Sequence, residues 1–163
     1  MYLLDTNVVS ELRKPKPHPS VLGWLQNVPA SSIFISAVTI GEIQTGIEIT
    51  REQDLNKANE LESWLNQIIA IGQVISLDAK CFKLWAKLKH RQSNTIYEDA
   101  MIAATAVLFK LTVVTRNTRD FKRFKVKLLN PFESWSSYLI RLFRYFAIAK
   151  LEVSAGDSKP KKL

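Results

Sequence analysis

Short apolar runs, each cut off by an acid, a hydroxyl or an amide, recur from Met1 to Asn130. Met1-Tyr2-Leu3-Leu4 ends at Asp5-Thr6-Asn7, after which Val8, Val9 and Leu12 resume at helical spacing. This is the pattern of a buried strand that delivers Asp5 to a helix start. Ser32-Ile33-Phe34-Ile35 repeats it, with Ser36 capping a helix through Val38, Ile40, Ile43 and Ile47. Between the two, Pro15, Pro17 and Pro19 enforce an extended connector, and Pro19 opens a short helix. Leu55, Ala58, Leu61, Leu65 and Ile68 predict an amphipathic helix over 54–69.

Gly72 to Leu77 reads as a third strand, and Asp78 as the cap of a helix carrying Phe82, Trp85 and Leu88. Ser93-Asn94-Thr95 forms a turn before the nearly all-apolar helix Ile96 to Leu108. Leu111 to Thr115 is a fourth, buried strand, ending at Arg116-Asn117-Thr118-Arg119-Asp120. Val126 to Leu129 is a short edge strand closed by Asn130-Pro131. Strands alternating with helices predict an α/β fold with a doubly wound, mainly parallel five-stranded sheet and helices on both faces.

Beyond Phe132 the pattern changes. Tyr138, Leu139, Leu142, Phe143 and Phe146 form one apolar stripe, so 136–152 is expected to be an amphipathic helical extension. Residues 153–163 are polar and end in lysines, the composition of a disordered basic tail. The expected folded domain is therefore 1–135.

Net charge alters this picture more than composition does. The chain of 163 residues carries +8, divided as +4 over 1–135 and +4 over 136–163. A basic body favours polyanionic partners such as nucleic acid. Part of that charge lies on Lys80, Lys83, Lys87, Lys89 and Arg91, a solvated helix face that also suits phosphate contacts. Cys81 stands alone, so no intrachain disulfide forms, as expected in a reducing cytoplasm. Asp5 breaks the N-terminal apolar run before a signal peptide can develop, and no apolar run is long enough for a bilayer.

The polar ends of the strands and the helix starts carry the candidate chemistry. Asp5, Glu42, Asp99 and the pair Asn117/Asp120 are far apart in sequence, yet the topology brings them to one rim. Asp99 stands out because it shares a stripe with Ile102, Ala103 and Ala106. A carboxylate there is costly unless paired or metal-bound. Clustered carboxylates repel one another and call for a cation, and all-oxygen donors select Mg²⁺, with Mn²⁺ as a substitute. Such ions act on phosphates, which points to a nuclease. Other chemistries are short of parts. His18 and His90 are the only histidines, Cys81 has no evident base, and five glycines form no phosphate loop.

Four segments carry a family resemblance: Leu3 to Glu11, Ser36 to Glu42, Asp99 to Ala106 and Val114 to Phe121. Together they resemble the motifs of PIN-domain ribonucleases, in particular VapC/FitB-type toxins of bacterial type II toxin–antitoxin pairs. The resemblance runs from Met1 to about Pro131. It implies a PIN-like three-layer fold, Mg²⁺-dependent hydrolysis of RNA by water attack, a homodimer, and inhibition by a cognate antitoxin. It matches Asp5, Glu42 and Asp99 to the family's metal-binding acids and Thr6 to a supporting hydroxyl. Asn117 stands where many members have an acid, so Asn117 and Asp120 compete for the fourth position, and charge favours Asp120 as a metal ligand. The rival expectation is a catalytically inactive nucleic-acid-binding or antitoxin-binding subunit of a repressor complex, with Asp5 and Ser36 serving only as caps.

Overall fold

A computed structural model describes residues 1–92 and 96–133 of the chain. The expected turn at 93–95, the extension at 136–152 and the tail at 153–163 lie outside the described residues. Five parallel strands form the sheet: β1 (Tyr2–Leu4), β2 (Ile33–Ser36), β3 (Gln73–Ile75), β4 (Thr112–Val114) and β5 (Leu128–Leu129). Their order is β3-β2-β1-β4-β5, so the winding reverses between β1 and β4. The helices are α1 (Thr6–Glu11), α2 (Pro19–Gln26), α3 (Ala37–Arg51), α4 (Leu55–Ile71), α5 (Ala79–Lys89), α6 (Tyr97–Leu108) and α7 (Thr118–Phe121).

Strand side chains alternate between faces, and each strand splits its apolar residues accordingly. Leu4, Ile35 and Val114 pack with Val8, Val21, Ile43, Ile47, Leu61 and Leu65, beneath α1 to α4. Leu3, Phe34 and Val113 pack with Ala100, Ile102, Ala103, Phe121 and Phe124, beneath α5 to α7. Two cores on one sheet make three layers. Leu55 departs from the expected stripe: as the first residue of α4 it overhangs the core and is exposed.

Caps fix where the helices begin. Asp54, Asp78 and Ser36 accept from the backbone N–H of Lys57, Cys81 and Val38. Asp78 is therefore the cap its sequence context predicts. Buried Glu11 ties the proline-rich connector down, accepting from Lys14 Nζ at 2.6 Å and His18 N–H at 2.9 Å. Burial opposes its ionisation, but these hydrogen bonds prevail and hold its pKa below the ordinary value.

Candidate active site

The winding reversal leaves a crevice at the carboxyl ends of β1 and β4, where ligands of open α/β sheets bind. Asp5 leaves β1 there and Thr115 leaves β4. Both are buried. Thr115 Oγ1 donates to Asp5 Oδ2 at 2.6 Å and accepts from Asn7 Nδ2 at 3.0 Å and Asn117 N–H at 2.9 Å. Asn7 Nδ2 also donates to Asp5 Oδ2, and its Oδ1 accepts from Arg116 N–H. Thr6 N–H donates to Asp5 Oδ1 at 2.8 Å, so Asp5 is both the cap of α1 and the centre of a polar network. These donors fix its orientation: Oδ2 accepts two hydrogen bonds and is filled, while Oδ1 accepts one and keeps a lone pair free.

Thr6 reaches in a second direction. Its Oγ1 donates to Glu42 Oε2 and so ties the start of α1 to the first turns of α3. Buried Thr39 Oγ1 adds a weaker bond to Leu4 O at 3.4 Å. A pocket of about 160 Å³ opens beside Glu42, lined also by Thr6, Ser10 and Arg13. Asp99 sits in the first turn of α6, half-buried. Opposite it, α7 carries Asp120, whose Oδ2 accepts from Asn117 Nδ2 at 2.6 Å. Arg123 lies 3.6 Å from the other oxygen of Asp120.

Electrostatics show which acids share space. Burial raises the pKa of Asp5, while the hydrogen bonds from Thr115, Thr6 and Asn7 restrain the rise. Burial also pushes Glu42 up to about 7; the Thr6 hydrogen bond opposes this, and the charges of Asp5, Glu98 and Asp99 add to it. Asp99 rises to about 6 through burial and then through Asp5, Asp120 and Glu98, partly offset by Arg123. The structure thus brings Asp5, Glu42, Asp99 and Asp120 into one field. Asn117 joins the site through Thr115 and Asp120, on an exposed turn.

Three residues that sequence reasoning passed over belong here. Thr115 read as the last residue of a strand, and Asn7 as part of a helix start. Their roles rest on contacts across more than a hundred residues. Glu98 faces away from the apolar stripe and gave no burial signal. A second acid in the first turn of α6 was the available clue.

The donor set suits a hard divalent cation: oxygen throughout, anionic, and destabilised by its own charge. Among the described residues, no three acids, histidines or cysteines close into a ready-made metal cage.

Ionisation against repulsion has a sign that can be checked. Glu42 and Asp99 have folded pKa values raised above their ordinary ones, so between about pH 4 and 7 the native state binds more protons than the unfolded chain. The metal-free protein is therefore expected to lose stability from this cluster as pH rises through that window. Thermal melts in EDTA from pH 4.5 to 7.5 test this. A contribution from the acids that grows with pH, isolated by comparison with Glu42→Gln, would contradict the assignment.

Comparison with known proteins agrees with the geometry. The PIN domain family model matches residues 2–127. The plasmid stability protein StbB of Pseudomonas syringae pv. tomato is 36% identical over 141 residues, covering 82% of this chain and all of that protein. Toxin FitB of Neisseria gonorrhoeae is 33% identical, covering 80% and 98%. The VapC ribonuclease Y4jK of Sinorhizobium fredii is 32% identical, covering 82% and 99%. Among solved structures, FitAcB from Neisseria gonorrhoeae superposes with a TM-score of 0.72 at 31% identity, over 82% of this chain and 99% of that one. FitAB bound to an IR36 DNA fragment gives 0.70 at 31%, over 82% and 96%. With the motifs at the carboxyl ends of the strands and relatives matched almost end to end, the chain belongs to the PIN-domain family, among its VapC/FitB-type toxins.

Proposed function

We propose that the protein is a Mg²⁺-dependent endoribonuclease, the toxin of a toxin–antitoxin pair. One observation carries the reading: four acids, at the end of β1 and on α3, α6 and α7, converge where burial raises the pKa of Asp5, Glu42 and Asp99, and the neighbouring acids push Glu42 and Asp99 higher still. A protein gains nothing in stability from such an arrangement, and a cation relieves it. Asp5 and Asp99 would be the principal ligands, with Glu42 and Asp120 assisting. Bound there, Mg²⁺ or Mn²⁺ supplies Lewis-acid charge to a phosphate and makes water more acidic.

The chain's own residues do the rest. Thr115, Asn7 and the Thr6 N–H orient Asp5 before any substrate arrives. The Thr6 hydroxyl orients Glu42. Held there, Glu42 would assist through the ion's water, receiving a proton as that water attacks. The relatives named VapC ribonuclease and toxin FitB support RNA as substrate and a toxin's role. By the same analogy the partners are a cognate antitoxin and a second copy of the chain. The FitAB structure on DNA motivates the second reading, a subunit of a DNA-bound repressor complex.

Incubating purified protein with single-stranded RNA, with Mg²⁺ or with EDTA, tests the proposal. Cleavage in Mg²⁺ that EDTA stops is expected. No cleavage with Mg²⁺ or Mn²⁺, in protein free of antitoxin, would leave the DNA-bound subunit as the better reading.

The fourth position has its own test. Asp120 offers a full charge and raises the pKa of Asp99, whereas Asn117 offers a neutral amide already committed to Asp120. Asp120→Ala is therefore expected to move the Mg²⁺ midpoint of cleavage upward more than Asn117→Ala does. An unmoved midpoint for Asp120→Ala beside a large shift for Asn117→Ala would reverse the assignment.

A further inference from the structure

Because β4 and β5 are parallel, the connection between them must return from the carboxyl end of the sheet to its amino end. That crossover, residues 116–127, carries Arg116, Arg119, Lys122, Arg123, Lys125 and Lys127 against one acid, Asp120. All six cations are exposed. Arg116 rests over the Phe132 ring and lies 3.9 Å from Glu11, and Arg123 faces Asp120. Among the described residues, Arg119, Lys122, Lys125, Lys127 and neighbouring Lys110 have no ion pair.

The crossover ends in a pocket. About 310 Å³ is enclosed by Lys110, Lys125 and Lys127 around Ala106, Val107, Leu111 and Val126. It lies at the amino ends of β4 and β5, the opposite end of the sheet from Asp5. Lys110 and Lys125 both have φ near 54°, in the left-handed region where glycine is at ease and a lysine is strained. Phe109, beside Lys110, is 46% exposed. A line of cations ending in a pocket with an apolar floor and a nearby exposed ring combines the two things a single strand requires. Cations track its phosphates, and flat or apolar surface receives its bases.

We infer that single-stranded RNA runs from the acid rim along the β4–β5 crossover, its backbone held by Arg119 and Lys122, and anchors in the pocket framed by Lys110, Lys125 and Lys127, with Phe109 stacking a base. The inference rests on the endoribonuclease reading and deepens it. From Thr115 to Lys110 is roughly 16 Å at strand rise. A dinucleotide at the rim therefore does not reach the pocket, and a longer strand does.

The test compares wild type with the triple variant Lys110→Gln/Lys125→Gln/Lys127→Gln, and with the triple Lys→Arg variant as the charge-keeping control. Fluorescence anisotropy reads binding of a long single-stranded RNA in Ca²⁺, and cleavage in Mg²⁺ is measured on that RNA and on a dinucleotide. The Gln variant is expected to bind the long RNA about tenfold more weakly. Its log Kd should depend less steeply on log salt, by about 2, for three lost phosphate contacts. KM for the long RNA should rise while kcat and dinucleotide cleavage stay unchanged, and the Arg variant should behave as wild type. Phe109→Ala should weaken binding with no change in salt slope.

Unchanged Kd and KM in the Gln variant would overturn the track. So would an equal loss of cleavage on both substrates, since that marks a disturbed rim or fold. Inorganic phosphate displacing the RNA as well as a competing RNA of equal phosphate content would make this a small-anion pocket and likewise overturn it. If wild type cleaves neither substrate, the endoribonuclease reading falls, and the binding arm still decides the track.

Discussion

Asp99→Asn is expected to reduce RNA cleavage by about a hundredfold or more and to leave the fold intact. Changing groups that merely support a ligand typically costs 10–100-fold in affinity or activity, and Asp99 is assigned a direct role. The substitution keeps shape and removes charge. Asp99 already feels Asp5, Asp120 and Glu98, and its pKa lies at about 6. At pH 7.5 the wild-type carboxylate is ionised against that repulsion, so the metal-free Asn variant should melt no lower than wild type, and higher if the repulsion is fully relieved. At pH 5, where Asp99 is largely protonated, the advantage should shrink. Retained Mg²⁺-dependent cleavage would remove Asp99 from the site. Lost cleavage with a lower melting temperature at pH 7.5 would show a structural role instead.

Phe121→Ala is expected to destabilise the protein by about 3–5 kcal/mol, a large part of the ~5–15 kcal/mol that a domain possesses. Phe121 is fully buried beneath α7 and meets Phe124 edge-on at 6.3 Å. It is also the last residue of the four-residue helix that carries Asp120. So short a helix has no stability of its own, and its place at the rim depends on this one anchor. The urea midpoint should fall steeply. In the folded fraction the Mg²⁺ midpoint of cleavage should rise as well, because Asp120 loses its fixed position. Phe121→Leu, which keeps most of the volume, should cost much less on both measures. A loss below about 1 kcal/mol for Phe121→Ala would mean that α7 is held by something else.

Both cases show where sequence stops and tertiary structure takes over. The chain alone specified the elements, because an apolar run and a capping residue act locally. Asp5, Ser36 and Asp78 each cap the helix their sequence context predicts, and Asp54, read as the first residue of its helix, caps it instead. Strand alternation fixed two faces, and strand-helix alternation fixed parallel winding. From these a rim holding Asp5, Glu42 and Asp120 could be anticipated, since parallel strands deliver every carboxyl end to the same side; Asp99, on a helix that follows another helix, reaches it through the packing of α6.

What orients those acids was not legible. Thr115 and Asn7 are ordinary polar residues until β4 pairs with β1 and brings them within hydrogen-bonding distance of Asp5. Glu98 acts on Asp99 beside it in α6, and its reach to Glu42 on α3 appears only once the helices are packed. The lysine-framed pocket likewise needs the end of α6 and the start of β5 to meet. Periodicity and caps are short-range and survive in a one-dimensional reading. Hydrogen-bond partners, shared fields and pockets depend on distances between segments far apart in sequence, and only the packed sheet sets those.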